Sequence, residues 1–157
     1  MLPYISAEII EAVADQIGEN EAAFEKLLKK FEAEQPAVFN YLFSEDVEAF
    51  TMDEQEWMLF VGLVIFGSVD QTGYEIGEIE ENDLMDAEEK NWDLLQDSKA
   101  TQFNERINPF FENYPQEDLL AFVEDMLTED EEDNFITREG REPMFVVLKS
   151  IVDVMSR

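Results

Sequence analysis

The chain has 157 residues, 39 of them Asp or Glu and 10 Lys or Arg, giving a formal net charge of -29. It contains no histidine and no cysteine, which excludes disulfides, thiolate zinc sites, a Cys nucleophile, Ser-His-Asp catalysis, the zinc HExxH motif and the histidine-containing di-iron sites of helical bundles. The hydrophobic fraction is 45%, with 13 Phe, so the chain carries the apolar surface that acidic disordered sequences lack, in a length that suits one domain with one core.

The periodicity is helical almost throughout, and no alternating strand pattern of convincing length occurs. Ser6 reads as the cap of a first helix with Ile9, Ile10, Val13 and Ile17, ending near Gly18. Asn20 then caps a second helix with the stripe Phe24, Leu27, Leu28 and Phe31, and the short connection predicts that the two fold side by side. Pro36 stops that helix and opens a short third one carrying Val38, Phe39, Leu42 and Phe43.

Thr51 and Glu54 form a capping box in front of "QEWMLFVGLVIFGSVDQTG". This helix, about residues 52–72, is apolar on every side from Trp57 to Phe66, which predicts that other helices surround it. Each large side chain buried there contributes about 1.5–3 kcal/mol before entropy is subtracted. Its apolar run falls well short of the roughly 20 residues that span a membrane, so it is expected to be the core helix; Gly62 and Gly67 suit close helix contact or a kink. "YEIGEIEEND" reads as a surface loop, followed by a helix from about Asp83 to Gln96 with Leu84, Ala87, Trp92 and Leu95 inward. Phe103 and Ile107 start another, and Asn108-Pro109 is expected to restart it through Phe110, Phe111 and Tyr114. Pro115 begins a helix with Leu119, Leu120, Val123, Met126 and Leu127 on one face, and Pro143 leads into the last, with Met144, Leu148, Ile151 and Met155. No repeat of fixed period and no Gly/Ser linker interrupts the pattern. The expected fold is all-α: a single-domain irregular bundle of about seven or eight helices, spanning residues 1–157, around the central apolar helix.

The charge is segregated along the chain. No Lys or Arg occurs between Phe31 and Glu89, or between Ile107 and Thr137. Such a surface repels nucleic acid and anionic lipid, because each phosphate contact needs a cation. It attracts cations, and a basic protein is the expected partner. The N-terminal residues "MLPYISAEII" carry no secretory-signal pattern, which makes the cytoplasm the default compartment.

The densest acidic stretch is "LTEDEEDNFITREGRE", Leu127 to Glu142. An EF-hand loop needs oxygen ligands at positions 1, 3 and 5, Gly at 6 and a bidentate Glu at 12. A frame starting at Glu129 puts Gly140 where that Glu belongs, and a frame starting at Thr128 recovers Glu139 but puts Asp133 at the tight turn. The surviving metal alternative is an irregular site from Asp130, Glu132, Asp133 and Glu139. The preferred reading is an interhelical strap whose carboxylates Glu129, Asp130, Glu131, Glu132 and Asp133 contact the basic partner, with Arg138 and Arg141 neutralising some of them. Asp53, Glu54 and Glu56 are explained by the positive end of a helix dipole, and Lys26, Lys29 and Lys30 by a salt-bridged outer face. No cofactor and no enzymatic activity are expected; the function read from the sequence is an interaction module or inhibitor. The competing readings are a merely solvating acidic surface and a divalent-cation protein.

Overall fold

In a computed structural model of the chain, residues 2–43, 50–128 and 136–156 are described. Among them are eight α-helices and no β-strand: α1 (Ala7–Glu19), α2 (Glu21–Glu34), α3 (Pro36–Tyr41), α4 (Met52–Gln71), α5 (Glu81–Asp97), α6 (Phe103–Ile107), α7 (Glu117–Leu127) and α8 (Arg138–Met155). The architecture is the all-α irregular bundle that the periodicity predicts. Among the described residues, no helix is long and apolar enough to cross a membrane.

The lack of a polar face on α4 organises the packing. Every residue from Val61 to Val69 is buried, and α1, α2, α7 and α8 all pack against this helix. Gly62 and Gly67 permit that closeness: a Cβ at Gly62 would lie 2.9 Å from a Leu42 methyl, and one at Gly67 would lie 2.8 Å from both Leu27 and Val13. Thr72 closes the helix, and Gly73, at φ 72°, supplies the left-handed turn that releases the chain. The second inner helix is α8, which packs on α4, α5 and α7. Phe31 stacks on Phe66 with ring centroids 4.8 Å apart, and Phe145 meets Phe103 and Phe110 edge-on at 5.9 and 5.2 Å.

Several local expectations are corrected. Ser6 occupies the N-cap of α1, but its side chain makes no cap; Asp118 of α7 accepts from Ala7 N–H at 3.0 Å instead. Ile9 faces outward while Ile10, Val13 and Ile17 are buried. Asn108-Pro109 does not restart an α-helix: Asn108–Phe111 is a single 3₁₀ turn, and the chain then reverses at Asn113 with φ 55°. Pro115 precedes α7 by two residues, with Gln116 at its N-cap. The last helix begins five residues ahead of Pro143, because the Thr137 side chain accepts from Gly140 N–H at 2.9 Å and starts it there. Pro143 therefore lies inside α8 and costs one bond, to the carbonyl of exposed Glu139.

Polar side chains buried between elements fix the loops. Gln116 accepts from Ile5 N–H at 3.0 Å and donates to Pro3 O at 3.1 Å, tying the N-terminal segment to α7. Gln35 does the same for the segment before α5, donating to Gly77 O at 2.7 Å and accepting from Ile79 N–H at 2.9 Å. Arg106 donates to the carbonyls of Leu95, Ser98 and Ala100, where α5 ends, and to Glu142 at 3.0 Å. A guanidinium there meets the negative end of the helix dipole as well as satisfying orphan carbonyls.

The largest network joins α5 to α8. The Lys149 ammonium is buried, donating to Asn91 Oδ1 at 2.9 Å and to both Asp153 oxygens at 3.0 Å. It also lies 4.9 Å from the Tyr114 ring centroid and 5.3 Å from that of Phe110. Asn91 donates to Ser150 and Asp153, and the Tyr114 hydroxyl donates to Asp153 Oδ1. Burial, then the Asp153 charge, holds the Tyr114 phenol well above its ordinary value, so it stays a neutral donor. The two charges are not equivalent. Asp153→Ala strands an ammonium whose side chain is only 7% exposed and is expected to cost about 3–5 kcal/mol. Lys149→Met leaves Asp153 its Tyr114 and Asn91 donors and should cost under about 2 kcal/mol. Urea unfolding of both variants checks this, and equal losses would contradict it.

Candidate functional site

The strap residues Glu129, Asp130, Glu131, Glu132 and Asp133 lie outside the described residues, and with them Asp130, Glu132 and Asp133 of the metal alternative. Its fourth member, Glu139, is exposed on the first turn of α8. Among the described residues, no group of three or more His, Cys, Asp or Glu is gathered as a metal site. Of the two arginines expected to neutralise the strap, Arg138 is exposed and Arg141 lies with its guanidinium 5.8 Å from the Phe103 ring centroid.

The described residues on either side of this segment, Met126 and Thr137, are both held by the first turns of α4. On the entry side, Leu127 is buried and Trp57 Nε1 donates to Met126 O at 2.8 Å. On the exit side, Ile136 is buried, and Glu54 Oε2 accepts from Thr137 N–H at 2.9 Å and from its hydroxyl at 3.0 Å. The other oxygen of Glu54 completes the predicted capping box, accepting from Thr51 N–H at 2.9 Å. One carboxylate, 1% exposed, thus serves the N-termini of both α4 and α8, where two helix dipoles present their positive ends. The capping box was legible in the sequence; the second half of this latch, 83 residues away, had no local signal.

Folding uses several of the few cations internally. Lys149 is held by Asp153, Arg106 by Glu142 and the end of α5, and Lys30 pairs with Asp70 at 2.8 Å and with Glu34 at 3.7 Å. Asp70 is therefore a half-exposed ion-pair partner, and Lys30 reaches across to α4 as well as along its own helix. The Asp70 carboxylate raises the Lys30 pKa above its ordinary value.

A described acidic surface lies elsewhere, between α3 and α5. An open groove of about 960 Å³ is lined by Pro36, Ala37, Tyr41, Ile79 and Met85 together with Glu78, Glu80, Glu81 and Glu88. A second hollow along α5, of about 440 Å³, shares Met85 and Glu88 and adds Asp86, Glu89 and Trp92. The sequence places Trp92 inward on its helix, where it is half-buried, but gives no sign that α3 and α5 border one groove. No family model, curated protein or solved structure matches this chain.

The latch is testable apart from any partner. A Cβ at Gly140 would run into Glu54 Oε2 and lie 2.9 Å from Thr137 Oγ1, so Gly140→Ala must displace a carboxylate that accepts from Thr51 N–H, Thr137 N–H and the Thr137 hydroxyl. A loss of about 1–3 kcal/mol is expected in thermal unfolding; an unchanged melting temperature would mean that Glu54 does not join the two helices.

Proposed function

We propose that this chain is a non-catalytic docking module or inhibitor that binds a basic protein through its acidic surface, in the manner of an immunity protein or a nucleic-acid mimic. The observation that carries the reading is the segregation of charge, with three of the ten cations already paired within the chain. Lys149, Arg106 and Lys30 are engaged with Asp153, Glu142 and Asp70, while the residues from Phe31 to Glu89 contribute no base at all. A net charge of -29 on such a surface produces a one-signed field that steers an oppositely charged partner and makes association fast and salt-sensitive. The acidic stretch from Glu129 to Asp133, between Met126 held by Trp57 and Thr137 held by Glu54, is one proposed contact.

Immobilised protein is exposed to lysate of its native host and eluted with a salt ramp into mass spectrometry. One stoichiometric basic partner leaving at a sharp step is the expected outcome. A smear of generic basic proteins would mean that the charge serves solvation alone. With the partner in hand, reversal of Asp130, Glu131 and Glu132 to Lys should abolish binding with helicity unchanged by circular dichroism; retained binding would remove the strap from the interface.

A further inference from the structure

We propose that the groove between α3 and α5 receives an amphipathic segment of the basic partner, with Lys or Arg side chains over its glutamates and an apolar anchor against Met85 and Trp92. The inference rests on the docking-module reading and adds to it a place and a chemistry. Met85 is 55% exposed, on a helix that turns Leu84 and Leu95 fully inward. At 100° per residue, Met85 and Trp92 lie on one flank of α5 with Glu81 and Glu89 close beside them. Lys90 falls more than a right angle away from that flank. An unbranched, polarizable thioether beside a half-buried indole suits an adaptable apolar contact, while the surrounding carboxylates would leave an anionic or neutral segment poorly matched.

The same carboxylates argue against a second copy of this chain as the occupant, since acid would face acid. Other hollows are less suited to a cation-bearing segment. Those flanking α2 and α4 are lined by Lys30, and one of them by Lys26 as well, whereas the α3–α5 groove and its extension along α5 have no cation in their lining. Helix-in-groove recognition uses this combination of an apolar strip for affinity and flanking charge for orientation.

The probe is a synthetic amphipathic peptide with Lys and Arg on one face and two leucines on the other, beside a control of equal charge with alanines in place of the leucines. Each is titrated into the full chain, reading the Met85 methyl and Trp92 indole resonances by two-dimensional NMR. Saturable shifts of both resonances are expected. Binding should weaken at least about tenfold with the alanine control and with the double variant E78K/E89K, whose two positions are exposed. Equal affinity for the control, or shifts at Met126 and Leu127 without Met85, would overturn the groove while leaving the docking-module reading intact. Shifts of Met85 that follow protein concentration alone would identify a self-contact and also overturn it. Absence of any binding overturns the groove; if the host lysate also yields no sharply eluting partner, the module reading falls with it.

Discussion

A helix without a polar face must be covered on every side, and α4 imposes that requirement on the rest of the chain. The burial of Val61 through Val69 accounts for α1, α2, α7 and α8 lying where they do, and for two glycines at the tightest approaches. Covering α4 also buries Glu54 of its first turn beside the start of α8. Backbone donors there need acceptors or their desolvation goes uncompensated. Glu54 answers for both helices at once, so an apolar requirement at one end of α4 becomes a polar latch at the other.

The same economy governs the cations. In a chain this acidic, Lys149 is withdrawn into the α5–α8 contact and Arg106 to the end of α5. Each performs a structural task that a neutral side chain would not do as well: a planar guanidinium reaches three carbonyls and a carboxylate, and an ammonium joins Asn91, Asp153 and two aromatic rings. Each cation taken inside goes with a carboxylate partner, so the remaining surface keeps the same net charge while holding fewer cations.

What could be read beforehand was local. Asn20, Pro36 and the Thr51-Glu54 box are signals contained within four residues, and the helices they start are found in place. The all-apolar run of α4 predicted its central position. The failures were contests between local signals: at the start of α8, Pro143 looked like the stronger punctuation, but Thr137 was the effective cap. Long-range polar partners were not legible at all, because Gln35, Gln116 and Asn91 resemble surface residues until their distant acceptors and donors are known. Lys149 did leave a trace, as a lone cation inside "MFVVLKSIVDVM" four residues ahead of Asp153, a spacing that suits an ion pair on one helical face. The α3–α5 groove depends on how two helices pack, which no single segment encodes.

Whether folding leaves the surface carboxylates short of cations is tested most directly by urea unfolding of the intact chain at low and at physiological ionic strength. Screening contracts to about 8 Å at physiological salt, which relieves self-repulsion within a compact anion more than within an expanded one. Stability that rises clearly between the two conditions is the predicted result. Stability that is flat or falls with salt would show that the carboxylates are already paired or too widely spaced to repel, and would contradict a surface held ready for a basic partner.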